Sequence, residues 1–332
     1  MVFKKLLGSL GVGGPTVDTV LQHDAAVPGG GLSGEVRLKG GNADSTIEHI
    51  TLELVAHVEA EHEDGESEGS VVFERFTVGG GFVLAEGEER AIPFGVTLPW
   101  ETPVTELYGQ DLGIVLGVRT ELSLAGARDK GDLDRLTVRP LPAQEAVLEA
   151  LGQLGFGFRS ADLELGHISG SGQRLPFYQE IELAPAPQYA DRINELEVTF
   201  LAGPGALEVV LEADKRGGHF SGGGDALTRF TIGHHEVHGR DWAAEVDGWV
   251  RSLAEARASY GAPGYGAPEY GHHGGYGGHP QQQSGPGMGT VIAAGAAGVA
   301  VGVVGGLVAA EVIDEVGDFF EGDEEEEGGD ED

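Results

Sequence analysis

The residues best suited to chemistry lie near the end of the folded part of the chain, in the run H-H-E-V-H. If Thr231 to His238 is a strand, His234, Glu236 and His238 share one face at a spacing that suits zinc or nickel. The spacing is not the H-E-x-x-H pattern of metalloproteases, and no fourth ligand is visible. The competing reading is an exposed polar strand face with no metal. His272, His273 and His279 lie in a glycine-rich stretch and offer only weak, adventitious binding. Acid–base chemistry needs two carboxylates in a cleft, and a chain with 55 acidic residues gives no basis for choosing a pair. Asp132 and Asp134, in K-G-D-L-D-R, are expected in a loop before a strand, making turn hydrogen bonds. The chain lacks a G-x-S-x-G elbow, a phosphate loop and a strand-to-helix G-x-G-x-x-G. No cofactor is implied.

Composition narrows the rest. The 332 residues carry 20 basic and 55 acidic side chains, a net charge of −35, which argues against nucleic-acid binding, since that needs clustered Lys and Arg. All 20 basic residues lie at or before Arg257, whereas the last 22 residues hold 13 acids and no base, so much of the acidity belongs to a tail. With no cysteine there is no disulfide and no thiol nucleophile, in keeping with a reducing cytoplasm. The N-terminus, M-V-F-K-K-L-L-G-S-L-G-V-G-G, is too short and too interrupted for a secretory signal and is read as mature sequence. Phe3, Leu6, Leu7 and Leu10 suit one short helix, either capping the first β-unit or touching a membrane through Lys4 and Lys5.

The element that divides the chain is Arg139 to Phe158. Pro140 and Pro142 end the preceding extended run. Val147, Leu148, Leu151 and Leu154 then recur at helical spacing up to Gly155. On either side apolar residues alternate with polar ones between Gly, Pro and Asp clusters. Residues 1–140 hold roughly seven strand signals, as an Ig-like sandwich requires. In one of them Leu52, Leu54, Ala56, Val58 and Ala60 face a core while Glu53, Val55, His57 and Glu59 face water. E-D-G-E-S-E-G and G-G-G-F, from Gly79 to Phe82, are expected loops, as is Gly222–Gly224. Pro93, Pro99 and Pro103 confine their strand to an edge. After the 141–158 connector, 159–258 reads as a second sandwich closed by a helix from Asp241, with Trp242, Val246, Trp249, Val250 and Leu253 as its packed stripe.

Residues 259–287 form a Gly, Tyr, Pro and His linker that buries too little to fold. Residues 288–310 are 23 residues without a charge, long enough to span a bilayer, with Gly298, Gly302 and Gly306 as a helix-packing ridge. Six glycines, seven alanines and the absence of flanking Lys or Arg argue against that span, so membrane association and a soluble apolar segment both stand. In 311–332, Val312, Ile313, Val316, Phe319 and Phe320 make an apolar face opposed by Glu311, Asp314, Glu315 and Asp318, a pattern that suits either docking in a partner's basic, hydrophobic groove or a membrane-proximal helix end with a solubilising tail.

Six stretches, in order along the chain, carry a family resemblance: FKKLLGSLGVGGPTVDTVL, GEVRLKGGNADSTIEHITLEL, IPFGVTLPWETPVT, GVRTELSLAGARDKGDLDRLTV, PFYQEIEL and INELEVTFLAGPGALEVVLEADKRGG. Over residues 1 to about 258 the chain resembles the bacterial sporulation-control proteins of SpoOM type. The glycine-rich tail is similar to those of actinobacterial members. The resemblance implies two tandem arrestin-like (Ig-like) β-sandwiches, in agreement with the mainly β fold read from the residues: two sandwiches joined by a short helix, a closing helix on the second, and a largely disordered tail that is not part of the shared core. It also implies a cytoplasmic, non-enzymatic regulator of sporulation, differentiation and cell division that binds other proteins. On that view the connector sets the angle between the halves, and the tail recruits a partner or folds back on the core.

Overall fold

Nearly every period-two run becomes a strand. The computed structural model describes residues 13–62, 65–126, 130–213 and 227–260. The first half contains β1 (Thr16–Leu21), β2 (Gly31–Lys39), β3 (Ser45–His62), β4 (Gly65–Leu84), β5 (Glu89–Thr97), β6 (Glu106–Leu107), β7 (Gln110–Asp111), β8 (Leu116–Leu124) and β9 (Lys130–Arg135). The connector is α1 (Pro142–Leu154). The second half contains β10 (Gly157–Leu165), β11 (Phe177–Ala184), β12 (Leu196–Ala202), β13 (Ala206–Ala213), β14 (Leu227–Gly233) and α2 (Trp242–Tyr260).

The strands form a three-stranded sheet, β1-β2-β5, and a nine-stranded sheet in the order β14-β13-β12-β11-β10-β3-β8-β9, with β4 also on β3. As its proline requires, among the described residues β5 pairs only with β2 and lies at an edge. The long β3 joins the halves. Its Ile47–Ala56 stretch pairs with β8, and further on Glu59 pairs in parallel with Glu164 of β10. The first core fills the space between the two sheets, with Val36, Ile47, Leu52, Leu54, Val71 and Val118 all buried. The second core is built by α1, α2 and β11–β14. Val147 and Leu151 of α1 and Val246, Val250 and Leu253 of α2 pack on Ile181, Leu183, Val198, Val209 and Ile232. The mainly β fold, with a helix between two cores and a helix closing the second, matches expectation. Among the described residues, the layer facing the second half's strands is helical.

The two helices begin and end as their sequences dictate. The Gln144 side chain accepts the Leu141 N–H at 2.8 Å. Gly155 takes the left-handed conformation (φ 96°), and its N–H and that of Phe156 return to the carbonyls of Gly152 and Leu151. Asp241 caps α2 by accepting the Ala244 N–H at 3.1 Å. Trp249 stacks on Phe230 with ring centroids 4.4 Å apart, so the tryptophan stripe packs on the second sheet.

Several local expectations are corrected. Residues 65–69 of E-D-G-E-S-E-G begin β4, and Gly79–Phe82 lies within it. Gly80 there has a φ of +133°, and a Cβ at that position would meet the Glu48 carbonyl oxygen at 2.2 Å, so glycine is needed at this close approach; the register with β3 slips just beyond it, between Ile50 and Thr51. Asp132 and Asp134 lie in β9, not in a loop. The outward face of β3 is closed over at Glu53 and Val55, while His57 and Glu59 stay partly exposed. Glu53 is 3% exposed, because Arg75 and Arg119 on the flanking strands bring their Nε atoms to 2.7 and 2.6 Å from its carboxylate. Val55 is covered by Val72 and Leu133. The expected N-terminal helix, the Gly222–Gly224 loop and all of 261–332 lie outside the described residues.

Candidate functional site

The histidine motif does not make a metal face. The strand ends at Gly233, and His234–Glu236 turns into a 3-10 helix, which removes the alternation that a shared face needs. His234 Nε2 lies 2.7 Å from the Gly203 carbonyl, and its ring stacks on Trp100 of the first half at 5.2 Å between centroids. Glu236 pairs with Arg240 at 3.0 Å.

The structure brings together two carboxylate groupings, of which sequence reasoning missed the first and read the second, Asp132 and Asp134, as turn residues. On the face of the sheet away from the helices, Asp162, Glu164 and Glu180 bring ligand oxygens within 4.8 Å of one another. Cross-strand register extends the series: Asp162 opposes Glu180, Glu182 opposes Glu197, and Glu197 opposes Glu212. Burial and the charges of Glu180 and Glu164 push Asp162 up to about 8. Oxygen donors of this kind suit a hard divalent cation, yet at neutral pH a proton on Asp162 already relieves part of the charge. The second grouping faces β1. Asp132 accepts the Thr19 N–H at 2.7 Å, and burial together with Asp132 and Asp18 pushes Asp134 up to about 7. The signal for the first group was present as D-L-E-L and Y-Q-E-I-E-L, acids at every second position of expected strands.

The halves are fastened together. Trp100 packs into the second core, and Glu101 accepts the N–H groups of Arg174 and Leu175 at 2.8 to 2.9 Å. Val104 and the Gln179 side chain exchange two hydrogen bonds, 2.9 and 2.8 Å. Phe73 and Phe177 meet edge to face at 5.6 Å. The connector is therefore no free hinge, since α1 is part of the second core.

Beside these fastenings lies an apolar groove of about 450 Å3. The turn between β6 and β7 supplies Leu107 and Tyr108, α1 supplies Leu148, Glu149 and Leu151, and the strands supply Phe158, Ile181 and Leu183. Tyr108 and Phe158 are 64% and 51% exposed. Tyr108 also has a φ of 53°, in the left-handed region that non-glycine residues seldom occupy. Burial and the nearby Glu145 and Glu149 raise its phenol above the ordinary range. Neither carboxylate grouping lines this groove. The Y-G step in E-L-Y-G-Q-D was the available signal for the turn. The tail candidates Val312, Ile313, Val316, Phe319 and Phe320, and the ridge Gly298, Gly302 and Gly306, lie outside the described residues. Among the described residues no helix is long and apolar enough to cross a membrane.

Comparison with known proteins places this architecture. Residues 3–217 match the family model described as SpoOM protein. Over 252 residues the chain is 36% identical to the sporulation-control protein spo0M of Bacillus subtilis (strain 168), covering 74% of this chain and 95% of the relative. The crystal structure of Spo0M from the same organism superposes with a TM-score of 0.65 at 32% identity, covering 75% of this chain and all of that one.

Proposed function

The chain belongs to the SpoOM protein family, and on that footing we propose that it is a non-enzymatic, arrestin-like scaffold that regulates sporulation or differentiation and cell division by binding other proteins. The observation that carries the reading is the groove between the halves, apolar in its lining and edged by exposed aromatic rings, with the paired carboxylates elsewhere. Such a surface offers contact area where an enzyme would need a nucleophile or an acid–base pair beside a cavity. In this reading the protein works in the cytoplasm, and the apolar face of Val312, Ile313, Val316, Phe319 and Phe320 in the acidic tail recruits a further partner.

The test is photo-crosslinking in a sporulating host whose own copy has been replaced by this chain. A crosslinking amino acid is placed at Tyr108, at Val83 on the first sheet, and at Phe319 in the tail. Discrete protein adducts from at least one site in a complementing strain are expected. Complementation with no adduct from any of the three would remove protein binding as the mode of action.

A second reading rests on the 23 uncharged residues of 288–310, which would tether the same scaffold to the septal or envelope membrane. Flotation of a lysate separates the two. Full-length protein that rises with membranes, beside a form ending at Ala258 that does not, supports the tether; two forms that both stay at the bottom dismiss it.

A further inference from the structure

We infer that the groove between the halves is a docking site for a basic amphipathic helix of a partner protein. This rests on reading the chain as a protein-binding regulator and supplies the chemistry of what it binds. The lips of the groove come from different halves, Tyr108 from the β6–β7 turn and Phe158 from β10, and both leave more than half of their surface in water. Exposed aromatic residues around an apolar depression are the usual anchors of protein interfaces. The volume, about 450 Å3, accommodates two or three leucine- or phenylalanine-sized side chains, the number that one helix face presents at i, i+3 or i+4, and i+7.

Charge decides the kind of helix. Around the groove Glu106 is matched by Arg139, Asp111 by Arg135 and Glu195 by Arg159. Glu149 in the lining, which accepts a hydrogen bond from Gln153 at 3.2 Å, and Glu145 one turn earlier, which is hydrogen-bonded to the Tyr108 phenol, have no basic partner among the described residues, and no Lys, Arg or His lines the groove. Two carboxylates at i and i+4 on α1 meet Lys or Arg spaced one turn apart on an incoming helix. The chain's own E-V-I-D-E-V-G-D-F-F segment has a suitable apolar face. It would, however, set Glu311, Asp314, Glu315 and Asp318 against an acidic lip, so charge selects against it.

The experiment uses full-length protein and a fluorescein-labelled 14-residue synthetic helix with Leu and Phe on one face and Lys on the other. The same peptide with Glu replacing Lys, and an unlabelled peptide of residues 309–322, serve as comparisons. Anisotropy at low salt is expected to show the Lys peptide bound, with affinity falling about tenfold or more in Tyr108→Ala or Phe158→Ser. Glu145→Gln with Glu149→Gln should weaken it by about three- to tenfold, a difference that fades in high salt. A chain of net charge −35 attracts any basic peptide, so the groove variants carry the decision. Their side chains are exposed or half-buried, circular dichroism verifies folding, and amide exchange across 148–158 in the unaltered protein should slow when peptide is added. The inference is overturned if the variants bind like the parent, if the Glu peptide binds equally well, or if the tail peptide displaces the Lys peptide. Its failure alongside crosslinks from Val83 or Phe319 would leave the regulatory reading standing with a different binding surface.

Discussion

Replacing Asp162 by asparagine should stabilise the protein at pH 8 and do so much less at pH 5. Asp162 sits among Glu180, Glu164, Glu59 and Glu182, and its carboxyl is pushed from 3.8 to about 8 by burial and those charges. In the unfolded chain it ionises near 4. As pH rises through the interval between these values, the unfolded state releases its proton while the folded state keeps it, and stability falls. Below about 4 both states hold the proton, so the favourable contribution is complete there; above about 8 it is gone. At ~1.4 kcal/mol per unit the ceiling is about 5 to 6 kcal/mol. Water at the partly open site and redistribution of protons among the neighbouring acids reduce the working figure to about 2 kcal/mol. For a folded region of this size that is an increase in Tm of about 4–8 °C at pH 8. Asparagine has the same shape and no charge to desolvate, so below about pH 4, where Asp162 is protonated in both states, the two proteins should melt together, and at pH 5 the gap should be about a quarter to a third of that at pH 8. Thermal unfolding followed by circular dichroism at pH 5, 6.5 and 8 measures this. Equal melting at pH 8, or a gap that does not change with pH, refutes the account of the carboxylate series.

Other expectations follow from the same geometry. Glu53→Ala removes the acceptor shared by Arg75 and Arg119 at a buried position and should cost about 3 kcal/mol in urea unfolding. Gly29→Ala combines a φ of +69° with a Cβ 2.4 Å from the Trp100 ring, so a loss of about 2 kcal/mol and a shifted tryptophan emission are expected as the Trp100–His234 stack is disturbed. His234→Ala with His238→Ala should leave the zinc content of purified protein unchanged by plasma mass spectrometry. It should lower stability by about 1 kcal/mol through the lost contact with Gly203. Gly155→Ala, at the left-handed end of α1, should cost about 1 kcal/mol in the same unfolding assay.

What the sequence made legible was whatever depends on neighbours along the chain. The start and stop of α1 follow from Pro142 and Gly155, the cap of α2 from Asp241, and most strands from alternation. What escaped depends on neighbours across the sheet. The pattern around Glu53 is that of a wet face, and only the register that sets Arg75 and Arg119 beside it shows why the face closes over. The pairing of Asp162 with Glu180 likewise requires strands 18 residues apart to be aligned. The H-H-E-V-H run misled for a related reason. Alternating polar residues suit a strand, but β14 leaves the sheet at Gly233, where tertiary contacts with Gly203 and Trp100 take over. Tyr108 and Phe158 were invisible as a pair because they come from different halves.

The fastenings between those halves constrain how any signal could pass through the protein. A connector that swings freely would leave its helix exposed, but α1 buries Val147, Ala150 and Leu151 in the second core, and Trp100 reaches into the same core from the first half. Opening the junction would strip Trp100 from His234, release Glu101 from two backbone N–H groups and Val104 from Gln179, and break the Glu59–Glu164 pairing of the shared sheet. These contacts act together, so a small change of angle would have to break several at once. A partner in the groove touches both halves without breaking any of them, because Tyr108 and Phe158 stand on the outside of the joint. If the protein works as the proposed scaffold, it presents a preformed surface, and regulation is exerted through what occupies the groove and not through reorientation of the two halves.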